Sequence, residues 1–324
     1  MALKPATAKT KFEPVPYWAK LPMGLSFYGD ATSVSVDSED HVYVFNRGTH
    51  PVAVFDPEGN FVRGWGQGEF TRPHGIEIDA QDNVYLVDDD GHFVQKRTKD
   101  GKVLFTIGTP NKAAEWQGGK PFNRPTDIAI HPVTGDLFIS DGYGNSRVHR
   151  YDKNGKHIKS WGESGTYPGQ FSLPHNITML GDDRVVVCDR ENFRLQVFTL
   201  DGEFVDQWHI HHPMSITHGK NGDTSLYVGE MIPPSVQQGV RNLGARVAVL
   251  SASGEFLQHC GAPLPGQGAD QFTAPHGIAT DSQGSFYAAE VAWTNYYSRP
   301  ENSGLKTPPL GEVVSLRKWR RVSN

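Results

Sequence analysis

Gly75-Ile76-Glu77-Ile78-Asp79, then Ala80-Gln81-Asp82-Asn83, then Val84-Tyr85-Leu86-Val87: this run decides the fold. An alternating apolar segment meets a polar turn, and a β-branched and aromatic segment follows. That is the signature of a half-buried strand joined by a tight turn to a second, more buried one. The second segment recurs as His41-Val42-Tyr43-Val44-Phe45, Asp136-Leu137-Phe138-Ile139-Ser140 and Arg184-Val185-Val186-Val187-Cys188. It recurs again as Ser225-Leu226-Tyr227-Val228-Gly229 and Ser285-Phe286-Tyr287-Ala288-Ala289, which makes six copies.

Working outward, each copy leads into a third strand such as Val52-Ala53-Val54-Phe55 or Leu195-Gln196-Val197-Phe198. A turn of Asp-Gly or Asn-Gly character and a fourth strand follow, as in Asn154-Gly155-Lys156-His157-Ile158. Six four-stranded repeats of roughly 40–50 residues predict an all-β, six-bladed β-propeller spanning residues 1–324 as one domain. The sixth repeat shows three strands, the last read as Glu312-Val313-Val314-Ser315-Leu316. A closing segment within residues 1–30, centred on Phe12 to Pro22, is expected to supply the missing one. Pro14 and Pro16 restrict that strand to a sheet edge. Insertions at 231–246 and 291–311 lengthen the second-to-third-strand loops of repeats five and six; Trp293, Tyr296 and Tyr297 suit an ordered lid or a subunit contact.

Composition narrows the function classes. The chain has 324 residues, a net charge of −5 and a pI near 6.3, which leaves no electrostatic footprint for nucleic acid. The run Arg317-Lys318-Trp319-Arg320-Arg321 is read as a solvated final strand. No stretch is long and apolar enough to span a membrane. The opening Met1-Ala2-Leu3-Lys4-Pro5 lacks the pattern of a secretion signal, and two cysteines imply no disulfide framework, so the expected compartment is cytoplasmic.

Three of the repeats begin with Pro-His: Pro73-His74-Gly75, Pro174-His175-Asn176 and Pro275-His276-Gly277. The histidines stand 101 residues apart each time. Aligned on the second strands, the column at the start of the first strand reads Thr32, His74, Thr126, His175, Met214, His276. Innermost strands of a propeller line its channel, so imidazoles on alternate blades are expected to converge. A lone histidine there fills space; three in register form a metal site, with three ligands and an open position. Zinc suits such a site, and other divalent transition metals suit it too.

The loops after the second strands begin Asn46, Asp88, Asp141, Asp189, Glu230 and Glu290. Six related residues in one column are expected to cap turns rather than to ligate a metal. Arg47 and Arg190, next in two of these loops, break the pattern; a planar guanidinium there suits a substrate carboxylate or carbonyl. Tyr143, between Gly142 and Gly144, is placed to project into the same mouth as a general base.

The runs Phe122-Asn123-Arg124-Pro125-Thr126-Asp127, Ser140-Asp141-Gly142-Tyr143-Gly144-Asn145-Ser146-Arg147 and Asp189-Arg190-Glu191-Asn192 carry a resemblance. With Trp161-Gly162-Glu163, Pro168-Gly169-Gln170-Phe171 and Pro174-His175, the chain resembles the NHL-repeat peptidyl-α-hydroxyglycine α-amidating lyases. The resemblance implies zinc on His74, His175 and His276, Tyr143 as the base, and Arg47 and Arg190 assisting. It implies cleavage of an N-acyl α-hydroxyglycine into an amide and glyoxylate. The family has an aspartate ligand to a structural calcium directly after the third histidine; Gly277 stands there, so calcium is not expected. Ala274 and Gly144 replace the family's methionine and cysteine. The expected substrate is a small α-hydroxyamide with a carboxylate; no nucleic acid or membrane partner is expected, and oligomeric state is left open. The alternatives are a metal-dependent hydrolase on the same site and a non-catalytic NHL-repeat scaffold.

Overall fold

The computed structural model describes residues 10–233, 240, 242–299 and 313–322. The strands run in chain order from β1 (Lys11–Val15). The first complete sheet holds β2 (Ala31–Val36), β3 (Val42–Asn46), β4 (Val52–Phe55) and β5 (Phe61–Trp65). The second holds β6 (Pro73–Ile78), β7 (Val84–Asp88), β8 (Phe93–Arg97) and β9 (Val103–Gly108). The third holds β10 (Asp127–Ile130), β11 (Leu137–Asp141), β12 (Arg147–Tyr151) and β13 (His157–Trp161). The fourth holds β14 (Pro174–Leu180), β15 (Arg184–Asp189), β16 (Arg194–Thr199) and β17 (Phe204–His209). The fifth holds β18 (Pro213–His218), β19 (Leu226–Glu230), β20 (Arg246–Leu250) and β21 (Phe256–Cys260). The last runs β1–β24–β23–β22, with β22 (Pro275–Thr280), β23 (Phe286–Glu290) and β24 (Leu316–Val322). These antiparallel sheets are the blades of a six-bladed β-propeller.

Local chemistry explains the repetition. In the turn from first to second strand an aspartate carboxylate accepts backbone N–H groups two and four residues on. Asp37, Asp79 and Asp281 all do so at 2.8–3.0 Å. Beside them a tyrosine near the start of the second strand is fully buried: Tyr85 and Tyr287 donate their hydroxyls to Asp79 and Asp281. The repeated aromatic position therefore fills the core with its ring and satisfies its polar end at the turn.

Two compact units divide the chain: Met1–Gly64 with Met214–Asn324, and Trp65–Pro213. In the first, Trp319 of β24 stacks on Phe286 and Phe272 at 5.9 and 5.4 Å between centroids. In the second, Phe138, Trp161, Phe171 and Phe198 anchor one buried cluster, and Tyr85, Phe122 and Tyr151 another.

The last sheet corrects two expectations. Its third strand is Leu316–Val322, not Glu312 to Leu316. The basic run is also not simply solvated: Arg317 and Trp319 are buried, and Arg317 pairs with Glu290. Alternation put one face of the run into the core, where an ion pair makes an arginine acceptable. β1 lies at the edge beside β24, with Pro14 opposite Trp319. The expected insertions fall partly on 234–239, 241 and 300–311, outside the described residues. Of the second, a short π-helix, Trp293–Tyr297, is described, and its Trp293 N–H donates to Gly29 O at 2.9 Å. Among the described residues no helix is long and apolar enough to cross a membrane.

Candidate metal centre

The three Pro-His sequences share one local construction. Pro73, Pro174 and Pro275 are the first residues of β6, β14 and β22, and the register against the next strand slips by one residue just after each proline. Such a bulge takes a residue out of the ladder and re-aims its side chain. His74, His175 and His276 are each almost wholly buried.

Their Nδ1 atoms are already engaged. His74 Nδ1 lies 2.6 Å from Thr126 O, and His276 Nδ1 lies 2.6 Å from Thr32 O. A carbonyl only accepts, so the proton sits on Nδ1 and Nε2 presents its lone pair. His175 Nδ1 meets the Asn176 side-chain oxygen at 2.7 Å instead.

Within the second unit, His74 and His175 offer ligand nitrogens within 4.8 Å of each other, and their rings are 4.9 Å apart. Tyr143 completes this group: its hydroxyl is 3.1 Å from His74 Nε2 and 3.3 Å from His175 Nε2. The flanking glycines let the loop press in. A Cβ on Gly142 would lie 2.0 Å from Pro174 O, and one on Gly144 would lie 2.3 Å from the Asn123 side chain.

Three guanidiniums surround the Tyr143 ring. Arg124 is 4.6 Å from its centroid, Arg72 5.8 Å and Arg190 5.9 Å. Arg190 was expected at this mouth; Arg72 and Arg124 were missed. Arg72 and Arg124 stand two residues before His74 and Thr126, so the column two residues ahead of the histidine column held the signal. Buried Asp89 ties them in, 2.8 Å from Arg72 and 3.7 Å from Arg124, and stands 4.0 Å from His74 Nε2. Arg190 donates to Glu191 at 2.8 Å; His212, and after it Arg190, hold the Glu191 carboxyl down to about 2.

In the first unit, Arg47 is held 3.1 Å from Asp30 and 3.2 Å from the Thr294 hydroxyl. There too Gly277 has no room for a side chain, since a Cβ would lie 2.5 Å from Ser33 Cα. An aspartate cannot occupy that position without moving the neighbouring strand.

The acidic column is structural. Asp88 accepts the N–H groups of Thr71, Arg72 and Gly91; Asp189 accepts from Ser172 N–H and from Asn192 and Arg194; Glu290 accepts from Thr273 and Ala274 N–H. Burial pushes the Asp88 and Asp189 carboxyls above their usual range.

NHL repeats are recognised at residues 122–151 and 171–198. Human NHL repeat-containing protein 3 is 30% identical over 85% of this chain and 80% of that protein. The chain belongs to the NHL-repeat family. Two further relatives of this NHL-repeat protein carry enzyme names. Peptidyl-glycine alpha-amidating monooxygenase B of Xenopus laevis is 29% identical over 86% of this chain, which spans 35% of that protein's length. Peptidyl-alpha-hydroxyglycine alpha-amidating lyase 1 of Drosophila melanogaster is 36% identical over 45% of this chain and 28% of that protein. The virginiamycin B lyase of Staphylococcus aureus shares the fold, with a TM-score of 0.55 at 17% identity over 87% of this chain and 82% of that one.

Proposed function

We propose that this NHL-repeat protein is a metal-dependent carbon–nitrogen lyase. It cleaves an N-acyl α-hydroxyglycine-like carbinolamide into an amide and glyoxylate, or a related carbonyl product. The observation that carries the reading is the Tyr143 hydroxyl beside two buried imidazole nitrogens, under a canopy of arginines.

His74, His175 and His276 would hold the metal, zinc or another divalent transition metal, through Nε2. The donor chemistry fits: in all three, an oxygen acceptor faces Nδ1 and directs the lone pair to the other nitrogen. A metal bound there supplies Lewis acidity to a substrate hydroxyl oxygen. Tyr143, as the phenolate, takes the α-hydroxyl proton and returns it to the departing amide nitrogen. The C–N bond breaks as the carbonyl forms, and the amide nitrogen leaves with a proton, so the step needs neither water nor a redox partner. Arg190 and Arg47 are assigned to the substrate carboxylate, for which a guanidinium fork is the matching donor. The names of the Drosophila and Xenopus relatives support the same chemistry.

A second reading is a non-catalytic scaffold, favoured by the human relative that this chain matches over 80% of its length and whose name carries only the repeat. One experiment separates the two. Metal content is measured by mass spectrometry on the wild type and on His175→Ala, and glyoxylate release is assayed from α-hydroxyhippurate. The lyase reading expects about one equivalent of transition metal, lost in the variant, and metal-dependent glyoxylate. A wild type that holds no metal after reconstitution and releases no glyoxylate leaves the scaffold.

A further inference from the structure

His175 is anchored differently from the other two histidines. His74 and His276 donate Nδ1–H to backbone carbonyls, Thr126 O and Thr32 O, which only accept. No side-chain substitution removes those acceptors. His175 Nδ1 faces the Asn176 side-chain oxygen at 2.7 Å. An amide has a donor end as well as an acceptor end, so something must hold the oxygen toward the ring.

Asp127 does so. Its carboxyl is fully buried and hydrogen-bonded to the Asn176 side chain, and it accepts Ile177 N–H at 3.3 Å. It is confined from the other side, since a Cβ on Gly75 would lie 2.7 Å from its Oδ1. With the amide NH2 committed to Asp127, the amide oxygen must face His175. The chain of bonds runs from Asp127 to Asn176 to His175 Nδ1, and leaves Nε2 as the acceptor beside Tyr143.

We propose that Asn176 is a positioning residue that fixes the tautomer and orientation of His175, and that Asp127 orients Asn176. The proposal rests on the reading of His175 as a metal ligand, and it makes that ligand the one whose lone pair a distant side chain controls. Partners of this kind hold a ligating imidazole in register, and losing one weakens metal binding by about 10–100-fold.

The test uses the full chain with 15N-labelled histidine. In the metal-free protein, long-range 15N–1H spectra should report His175 as the Nδ1–H tautomer in the wild type. A mixture with the Nε2–H form is expected in Asn176→Leu. Zinc affinity, measured by competition with a chromophoric chelator, should fall about 10–100-fold in Asn176→Leu. The double variant Asn176→Asp with Asp127→Asn reverses the two ends of the relay; it should restore both the tautomer and the affinity. It also serves where Asn176→Leu fails to fold.

A folded Asn176→Leu with an unchanged tautomer and affinity within twofold of wild type overturns the proposal, as does a folded double variant that restores neither. If the wild type binds no metal, the lyase reading fails, while the metal-free spectra still decide the role of Asn176.

Discussion

Tyr143 has one proton and two imidazole nitrogens within reach, His74 Nε2 at 3.1 Å and His175 Nε2 at 3.3 Å. Both nitrogens accept, so the phenol donates to one of them at a time. If Tyr143 is the base, removing its oxygen should spare the metal ligands and abolish proton transfer. Tyr143→Phe is expected to keep the wild-type metal content and lose about 10²–10⁴-fold in turnover. Wild-type turnover in that variant would place the base elsewhere. A second prediction concerns Glu191, which braces Arg190. Its carboxyl is lowered from 4.5 to about 2, first by His212 and then by Arg190. A depressed carboxylate stabilises the fold fully above its unfolded value and loses that contribution as pH falls through the folded one. The stability gap between wild type and Glu191→Gln should therefore be complete near pH 5 and close as pH falls toward 2. Urea denaturation at a series of pH values measures it, and a gap unchanged at the acid end would contradict the pairing.

At the scale of the strand, β6, β14 and β22 show what the sequence made legible. The Pro-His pairs and their spacing marked the three positions, because a proline at a strand start and a polar ring inside an apolar pattern both stand out. The bulge that turns each ring from the ladder was not legible, since one extra residue leaves the alternation after it intact. Arg72 and Arg124 escaped for a related reason: they lie outside the strands, where no periodicity marks them, and Arg124 takes a positive φ of 66° that its residue type does not announce. β24 was misplaced because Val313 and Val314 look like strand, whereas the true strand buries Arg317 against Glu290. Glycine after the first histidine was legible only as a turn residue. It is required by contact: a Cβ on Gly75 would lie 2.9 Å from Thr126 O, the acceptor of His74. Gly75→Ala is expected to cost ~1–3 kcal/mol by overpacking, and to weaken metal binding by displacing that carbonyl. Thermal unfolding and chelator competition read the two effects. A variant with normal stability and affinity would show that the strands can part without consequence.

For the whole molecule, six copies of one strand pattern were enough to specify a propeller, because the alternation recurs in every blade, and in three of them a turn aspartate, Asp37, Asp79 or Asp281, closes the first hairpin. What repetition could not specify is how the last sheet gains its fourth strand. That strand is β1, drawn from the other end of the sequence, with Lys11 opposite Val322 and Val15 opposite Lys318. Phe12 adds side-chain packing to the ladder, edge-on to Phe286 at 5.2 Å and to Tyr227 at 5.9 Å. Without β1, β24 becomes an unpaired edge and both rings lose a neighbour. Phe12→Ala removes only the packing; half-burial of a phenylalanine contributes about 1–2 kcal/mol, which for a domain of this size lowers Tm by about 1.5–3 °C. Deleting residues 1–15 removes the ladder as well, so its Tm should fall further, and the exposed edge should promote self-association visible by size-exclusion chromatography. The ordering is the informative part. A deletion no worse than Phe12→Ala would mean that the ring contacts alone hold the last sheet. An unchanged Tm in both would mean that β24 is stable as an edge and that β1 only covers it.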